Sequence, residues 1–384
     1  MNLFEVYRTF SLKLERGYGM ILFDKRGNSY LDFYGGHAVI SIGHSHPFYV
    51  KFLRKQLLKI GFYSNIVNIT KQQEFIEKLG ILSSYKDYQF FLCNSGAEAI
   101  ENALKISSFY NKKKKVIVFK GSFHGRTCAA LAITDNNRII PPINNMHSRL
   151  FLSHNDELSL ISELEEGEIC SVVTEGIQGV VGIVYPGIDF LKKLTRHCHR
   201  YKVPLIIDEI QSGYGRSGYF FSHQAAYIRP DLITIAKGMG NGFPIAGVLI
   251  SPQFKAFYGM LGTTFGGNYL ANIAALSVLE VFKNEGIIEN VRTIGAIAIG
   301  FLKNMRNIKN ISGNGLMIGI HFNFPVLFLN NYLRYKEYVF VGSASNPFIL
   351  RLLPPLNISK KEMYFFIEKM QNALSLIEND LLSI

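Results

Sequence analysis

The sequence has few cysteines and no long apolar run. Its four cysteines are Cys93, Cys128, Cys170 and Cys198, and none forms a C-x-x-C pair, so we expect reduced thiols rather than a disulfide framework. No apolar run approaches the roughly 18 residues that a membrane-spanning helix needs. The N-terminus also lacks a basic region followed by an apolar core, so no signal peptide is predicted. These features predict a cytoplasmic protein with no membrane partner.

Acidic residues are fewer than basic ones, 29 against 41, which gives a net charge of +12. A basic balance raises the question of nucleic-acid binding. The lysines are scattered, however, and the one tight cluster, Lys112–Lys115, follows a helical pattern, where lysines complement the helix dipole. We therefore predict no nucleic-acid partner. No metal site is predicted either, because His197 and His199 are two apart on a predicted helix and do not face each other.

Short apolar runs alternate with amphipathic helical stretches through the middle of the 384-residue chain. Strands that are apolar throughout, with helices between them, indicate an α/β fold with a largely parallel sheet covered on both faces. In such sheets ligands bind at the C-terminal ends of the strands. The predicted strands are Tyr88–Leu92, Val116–Phe119, Ser171–Thr174, Leu205–Ile207, Leu232–Ile235 and Val248–Ile250, and the predicted helices between them include Glu98–Tyr110 and Asp189–Tyr201.

The pattern changes after about Gly267. A long helical stretch, Leu270–Asn284, leads into short mixed elements and a C-terminal helix near Lys360–Leu376. We therefore predict a large domain over residues 46–267 and a smaller α+β domain over residues 268–384. The N-terminal segment, residues 1–45, is predicted to pack with the smaller domain.

Two charged residues follow predicted strands and suggest one chemistry. Asp208 ends the run Leu205–Ile207, where it could be the magnesium carboxylate of a P-loop NTPase or the acid on the ring nitrogen of pyridoxal phosphate (PLP). The first alternative requires G-x-x-x-x-G-K-[ST], which the sequence lacks. Lys237 follows Leu232–Ile235 between small residues, where desolvation would lower its pKa and make the amine a nucleophile. Because PLP enzymes need both groups, the pair predicts PLP.

Three turns rich in small residues accompany this pair. The turn Ser95-Gly96-Ala97 lies between a predicted strand and a predicted helix, so its free amides suit phosphate, although Ser95 could equally be a plain N-cap. The other two turns lie at 121–127 and 262–268, and each could also be an ordinary solvated loop. Their side chains suited to ring contact, carboxylate recognition or phosphate binding are Phe123, His124, Arg126, Thr263 and Thr264.

In their order and spacing these motifs resemble the class III aminotransferases of PLP fold type I, and most closely the acetylornithine aminotransferases. The resemblance runs from the Y-L-D-F motif at 30–33 to the L-R-L-L-P-P motif at 350–355, and its most specific part is D-E-I-Q-x-G-x-G-R-x-G at 208–218, followed by Lys237. It implies a large domain with a mainly parallel, seven-stranded sheet and a smaller α+β domain. It also implies PLP as the cofactor.

The resemblance implies roles around the cofactor ring. Lys237 would form the Schiff base with PLP and then move the proton between the substrate carbon and the cofactor. Asp208 would keep the ring nitrogen protonated. Gln211 would approach the ring hydroxyl, and Phe123 and Ile210 would stack on the two ring faces.

The cofactor phosphate would be shared between two subunits. The turn Ser95-Gly96-Ala97 would bind it from one subunit and Thr264 from the other, which implies a homodimer with shared active sites. Thr263 would lie near the substrate carboxylate.

Substrate recognition would rest on two arginines. Arg126 would bind the α-carboxylate of the donor, and Arg351 that of glutamate. One departure from the family is Val180, which stands where relatives usually carry a glutamate that pairs with the arginine and masks it. An unmasked guanidinium favours N-succinylornithine, whose acyl group carries a carboxylate. One alternative is that Glu175, a candidate substrate-binding residue, or Glu209 pairs with Arg351 in place of the missing glutamate. The other is that no residue masks this arginine.

The implied reaction is a ping-pong transamination. The δ-amine of N-acetylornithine or N-succinylornithine would pass to 2-oxoglutarate, giving acylglutamate semialdehyde and glutamate, a step of arginine biosynthesis that relatives often combine with one of lysine biosynthesis. His124, where ornithine aminotransferases usually have Trp, and Ile21, where they commonly have Tyr, favour an acylated donor. The alternatives are ornithine, 4-aminobutyrate or diamine transamination, or an aminomutase, on the same scaffold. An alternative of another class is a nucleic-acid-binding protein built on a relic enzyme.

Overall fold

The computed structural model describes residues 1–381, with side chains up to residue 376. The last three residues of the predicted smaller domain, 382–384, lie outside this part. The strands are β1 (Leu14–Tyr18), β2 (Ile21–Asp24), β3 (Ser29–Asp32), β4 (Gln89–Cys93), β5 (Lys115–Phe119), β6 (Arg149–Leu152), β7 (Ile169–Glu175), β8 (Leu205–Asp208), β9 (Leu232–Ile235), β10 (Ala246–Ile250), β11 (Ile308–Asn314), β12 (Met317–Phe322), β13 (Val339–Phe340), β14 (Gly342–Ser343) and β15 (Ile349–Leu352).

Helices follow most of these strands. None of the helices within residues 1–381 is both long and apolar enough to cross a bilayer. The helices are α1 (Gly35–Ala38), α2 (Pro47–Leu57), α3 (Thr70–Ser83), α4 (Gly96–Asn111), α5 (Cys128–Ala132), α6 (Glu157–Glu165), α7 (Ile188–Arg200), α8 (Tyr269–Asn284), α9 (Ile287–Lys303), α10 (Leu327–Tyr335) and α11 (Lys360–Leu381).

The central sheet has seven strands in the order β4-β10-β9-β8-β7-β5-β6. The five strands from β9 to β6 are parallel, and β10 is antiparallel to both of its neighbours. The predicted α/β fold with a mainly parallel, seven-stranded sheet is thus confirmed. Strand β6, Arg149–Leu152, was not predicted: it lies at the sheet edge and is mostly half-buried, so its short run carries a weak apolar pattern.

Helices cover both faces of this sheet. Every residue of β7 is buried, as expected for a strand with packing on each side. Val173 shares a core with apolar residues of α4, whereas its neighbour Val172 shares a core with Leu191 and Leu194 of α7. Successive side chains of a strand point to opposite faces. The two helices therefore lie on opposite sides of the sheet.

Two smaller sheets lie outside the central one. Strands β1, β2 and β3 are joined by β13, which comes from the C-terminal part of the chain and pairs in parallel with β3 through Val339↔Leu31. The third sheet has the order β11-β12-β15-β14 and is antiparallel. The largest apolar core combines residues of α8, α9 and α11 with residues of both smaller sheets.

One edge of the central sheet collects the polar motifs. The parallel strands β5, β7, β8 and β9 all end there, and β4 runs in the same direction because it is antiparallel to β10. The segments that follow these strands begin at residues 94, 120, 176, 209 and 236. Chain direction alone thus brings segments distant in sequence to one place.

Candidate active site

A cavity of about 300 Å³ opens at this edge of the sheet. Its size suits a small organic ligand. Nine of the residues proposed from the sequence line it: Ser95, Gly96, Ala97, Phe123, Glu175, Asp208, Ile210, Gln211 and Lys237.

Asp208 is buried at the end of β8 and is held by two donors. Its Oδ2 lies 2.7 Å from Nδ1 of His124, and its Oδ1 accepts the amide of Ile210 at 3.0 Å. Both Asp208 and His124 are almost inaccessible, at 4% and 2% exposure. A buried carboxylate needs such partners to remain ionised. This role of the imidazole was not predicted, because only the fold brings residue 124 beside residue 208.

Lys237 follows β9 with a left-handed φ of 47°. Its side chain is mostly buried but keeps part of its surface open to the cavity. Burial lowers its pKa to about 8, against the opposing effect of the Asp208 and Glu175 carboxylates, and the charge of Arg351 lowers it further. A sizeable fraction of the amine is therefore neutral near pH 8 and can act as a nucleophile.

Glu175 is a buried carboxyl that ties two loops together. Its Oε1 accepts the amide of Phe123 at 2.9 Å, and its Oε2 accepts the amide of Gly179 at 3.0 Å. Burial raises its pKa to about 7, the Asp208 charge adds to the rise, and His124 and the two amides oppose it. Its oxygens are thus committed to the backbone. Burial lowers the pKa of the Arg351 guanidinium, and the charges of Tyr34 and Glu175 oppose this shift.

The turn before α4 has the form of an anion site. Ser95 caps the helix: its Oγ accepts the amide of Glu98 at 3.2 Å, and Glu98 accepts the amide of Ser95 at 3.1 Å. Within residues 1–381 the amides of Gly96 and Ala97 have no acceptor. A Cβ at Gly96 would lie 2.8 Å from Cδ1 of Ile210, so a larger residue there would force the Ile210 side chain to shift. Two free amides at a helix N-terminus attract an anion.

Gln211 offers an unused acceptor to the cavity. Its Nε2 donates to the carbonyl of His37 at 3.3 Å. Its Oε1 is buried and has no hydrogen-bond partner in the part of the chain that the structure describes. Since buried polar atoms are normally paired, this oxygen is available to a donor on a ligand.

Arg351 lies beside the cavity rather than in its lining. Its Nε donates to the carbonyl of Ser343 at 2.6 Å and its Nη1 to that of Gly179 at 2.9 Å. No ion pair joins it to a carboxylate of residues 1–376. Val180 lines the cavity nearby. The guanidinium is therefore positioned by carbonyls and keeps its charge unpaired.

Glu209 does not compensate for the missing glutamate. Its carboxylate accepts hydrogen bonds from Ser212 at 2.6 Å, from Ser222 at 2.8 Å and lies 2.8 Å from Nδ1 of His223. The residue is buried away from the cavity lining. The alternative in which Glu209 pairs with Arg351 is therefore wrong.

Four positions considered from the sequence lie outside the cavity lining. Arg126 and Thr264 are exposed, and Arg126 forms no hydrogen bond or ion pair within the described chain. Thr263 accepts a hydrogen bond at 3.1 Å from Asn94, which does line the cavity. Ile21 lies in β2 opposite Leu31 and packs against the core.

Comparisons with known proteins identify the family of this chain. The family model Aminotransferase class-III matches residues 5–374. The acetylornithine aminotransferase of Archaeoglobus fulgidus is 36% identical over 97% of this chain and 98% of that protein. The acetylornithine aminotransferase of Bacillus subtilis is 35% identical, again over 97% of this chain and 98% of that protein.

Solved structures show the same fold. The N-acetylornithine aminotransferase from Stenotrophomonas maltophilia has a TM-score of 0.82 and 28% identity over 96% of this chain and 97% of that one. The ornithine aminotransferase from Toxoplasma gondii has a TM-score of 0.91 at 23% identity, over 98% of this chain and 93% of that one. At this identity the likeness shows the fold alone. The protein described here is an enzyme that belongs to the class-III aminotransferases.

Proposed function

We propose that this aminotransferase uses PLP to move the δ-amine of an N2-acylornithine to 2-oxoglutarate, as a step of arginine biosynthesis in the cytoplasm. The observation that carries the proposal is that the Lys237 amine and the Asp208 carboxylate lie in the wall of one cavity. The same chain matches proteins named acetylornithine aminotransferase over nearly their whole length. The acyl group, acetyl or succinyl, is left to the experiment below.

The residues around the cavity fit the cofactor. The unpaired amides of Gly96 and Ala97 suit its phosphate, with Ser95 beside them. The unpaired Oε1 of Gln211 suits its ring hydroxyl, and Phe123 would cover the ring. Ile210, packed on the glycine of the phosphate turn, would cover it from another side.

PLP, when bound, supplies a carbonyl carbon for amine exchange and a ring that withdraws electrons. Lys237 would hold the cofactor and then, as a free amine, accept and return the proton of the reacting carbon. Asp208 would keep a proton on the ring nitrogen, and His124 would hold that carboxylate in place. The buried surroundings strengthen each of these charge interactions.

Substrate carboxylates would be bound at the rim. Arg126, which is exposed and has no partner among the described side chains of residues 1–376, would bind the donor α-carboxylate, with Thr263 nearby. Arg351 would bind the α-carboxylate of glutamate, and Glu175 would shape this side of the pocket. Because no carboxylate of residues 1–376 pairs with Arg351, its charge could also serve a succinyl group.

A homodimer with shared sites completes the proposal. Thr264 would contact the phosphate in the partner's site, which agrees with its exposed position outside its own cavity. The division into an N-terminal segment (1–45), a large domain (46–267) and a smaller domain (268–384) is part of the same proposal. The pairing of β13 with β3 supports the packing of the N-terminal segment with the C-terminal domain.

The first test is a single-turnover absorbance experiment. The purified PLP form is mixed separately with N-acetylornithine, N-succinylornithine and free ornithine, and the visible band of the bound cofactor is followed. Rapid loss of the band with one acylated donor, with free ornithine slow, would support the proposal and name the acyl group. Lys237→Ala is the control that should not turn over. If no donor bleaches the band, the acylornithine assignment is refuted, and 4-aminobutyrate and diaminopimelate derivatives are tested next.

A further inference from the structure

A series of side-chain contacts leads from the N-terminal segment to Arg351. It begins at Phe10, whose ring faces the guanidinium of Arg334 in α10, with Cζ of the arginine 3.6 Å from the ring centroid. A cation over an aromatic face is attracted electrostatically. Arg334 is only 3% exposed and forms no ion pair with a carboxylate of residues 1–376. Because a buried charge is costly, the neutral groups that bind it must be firmly placed.

Arg334 fixes the orientation of the Asn330 amide. Its Nη2 donates to Oδ1 of Asn330, and its Nη1 donates to Oδ1 of Asn331 at 3.1 Å. A guanidinium can only donate hydrogen bonds, so it must face the oxygen of the Asn330 amide and leave the nitrogen for another partner. That nitrogen donates to Oγ of Ser343 at 3.0 Å. Asn330 is 2% exposed, so its amide has little access to water.

Ser343 carries an acceptor for Arg351. It lies in β14, a strand of two residues at the edge of the third sheet that pairs only with β15. Its hydroxyl is held by the hydrogen bond from Asn330, and its carbonyl accepts Nε of Arg351 at 2.6 Å. The position of this carbonyl therefore depends on a short strand pairing and on the amide of Asn330.

Arg351 connects these contacts to the cavity. Besides Ser343, its guanidinium has one acceptor among the described residues, the carbonyl of Gly179, which Nη1 reaches at 2.9 Å. The amide of Gly179 donates to Glu175, and Val180 follows it; Glu175 and Val180 both line the cavity. Two carbonyls on different segments thus fix the plane of the guanidinium and leave Nη2 for a ligand. Because a carboxylate is bound in that plane, a shift of either carbonyl would weaken its binding.

We propose that Asn330 and Arg334 are positioning residues for the acceptor half-reaction, which act through Ser343 on Arg351. The inference rests on the proposed function, in which Arg351 binds a carboxylate of glutamate. Neither Asn330 nor Arg334 lines the cavity, so their contribution is to hold the Ser343 carbonyl, and with it the guanidinium, in the orientation that binds the carboxylate. N-Acetylornithine has no second carboxylate, so its binding does not use this arrangement.

The test compares two amino donors on the enzyme loaded with PLP. L-Glutamate and N-acetylornithine are each titrated in single-turnover experiments, and the loss of the cofactor band gives an apparent Kd for each. The variants are Ser343→Ala, which removes the hydroxyl and keeps the carbonyl, Arg334→Met, and the double variant. Ser359→Ala is the matched control, because Ser359 is also exposed and also loses a side-chain hydrogen bond, to Glu362, outside the cavity lining.

We expect Ser343→Ala to weaken the apparent Kd for glutamate by about fivefold and Arg334→Met by about tenfold, since each breaks a hydrogen bond on which the guanidinium depends. The apparent Kd for N-acetylornithine, and both Kd values of Ser359→Ala, should change by less than about twofold. The double variant should lie within about twofold of Arg334→Met, because both changes interrupt the same contacts. Unchanged glutamate binding in Ser343→Ala, equal losses with both donors, or losses that multiply in the double variant would overturn the inference.

Arg351→Lys, titrated in parallel, separates this inference from the proposed function. It keeps the charge and loses the planar fork, so we expect glutamate binding to weaken by about tenfold or more. If it weakens while Ser343→Ala binds glutamate like the wild type, the inference is wrong and the role of Arg351 stands. If Arg351→Lys binds glutamate normally, both are wrong. Failure of N-acetylornithine to bleach the band refutes only the proposed donor, because Ser343→Ala still decides the inference with glutamate, even if Arg334→Met does not fold.

Discussion

At the scale of single residues, the site depends on a buried imidazole that the chemistry itself does not require. His124 and Asp208 are buried together, 2.7 Å apart. Removing the imidazole leaves one carboxylate oxygen without its donor in a site that water hardly reaches. An unpaired buried group of this kind lowers the stability of the protein. It would also weaken the hold of Asp208 on the proton of the cofactor ring nitrogen.

Two substitutions of His124 should therefore distinguish the effect of its hydrogen bond to Asp208 from the effect of its volume. We expect His124→Leu to lower the free energy of unfolding by about 1–3 kcal/mol and to slow transamination, because Asp208 loses a donor. His124→Asn, whose amide nitrogen can take the position of Nδ1, should lose less of both. Urea unfolding and single-turnover rates measure the two effects. Equal behaviour of both variants would show that the ring acts only by filling space.

Glu175 gives a pH dependence with a definite sign. Its pKa of about 7 in the folded protein exceeds the ordinary value of 4.5, so the folded state binds the proton more tightly. This contribution to stability is complete below pH 4.5 and is lost as the pH rises through 7. Relative to Glu175→Gln, we expect the cofactor-free wild type to lose about 3 kcal/mol of unfolding free energy over this window. Urea unfolding at several pH values measures the difference, and parallel curves would contradict it.

At the scale of elements, the beginning of α4 combines a helix cap with an anion site. We expect Ser95→Ala to cost about 1 kcal/mol of stability through the lost cap and to weaken PLP binding by about tenfold. Asp156→Ala is the matched control, because Asp156 caps α6 in the same way: its Oδ1 accepts the amide of Ser159 at 3.2 Å. Helix α6 follows β6, at the edge of the central sheet opposite to β4, which precedes the Ser95 turn. Thermal unfolding and PLP fluorescence titration measure the two effects. Equal PLP affinity in both variants would remove Ser95 from the phosphate site.

The elements also show how far the sequence was informative. Apolar runs located six of the seven central strands, because burial on both faces leaves a continuous hydrophobic pattern. Motif order located the cavity-lining residues, because parallel strands end at one edge. The left-handed φ of His37 and the contact of Arg351 with the Gly179 carbonyl were beyond prediction, since each residue has a partner more than 100 residues away in sequence. Val180 suggested an unpaired arginine, but not which atoms would position it.

At the scale of the whole molecule, the proposed dimer predicts complementation between two damaged chains. Lys237→Ala removes the amine of a chain's own site, and Thr264→Asp would repel the phosphate in the partner's site. Each variant alone should be nearly inactive. Mixed dimers, formed by subunit exchange, would contain one site built entirely from wild-type residues.

An equal mixture of the two variants should therefore recover about a quarter of the wild-type activity, because half of the dimers are mixed and each has one intact site of two. The measurement is activity after exchange, with sedimentation to establish that dimers form. If Thr264 acted within its own chain, every mixed dimer would lack an intact site and no activity would return.

The pairing of β3 with β13 has a consequence for biosynthesis. A ribosome releases the chain from its N-terminus, so Ser29–Asp32 emerges long before Val339–Phe340 is made. The central sheet needs only residues up to Ile250 and could form while synthesis continues. The pocket around Lys237 would be completed only later. Helix α1 (Gly35–Ala38) is followed by Ser41, which contacts the lysine loop, and is preceded by Phe33, whose carbonyl accepts the amide of Leu353, a residue translated after the whole central sheet. A nascent chain would thus hold an open, incomplete pocket until Leu353 has been made, which delays chemistry at Lys237 until that point of translation.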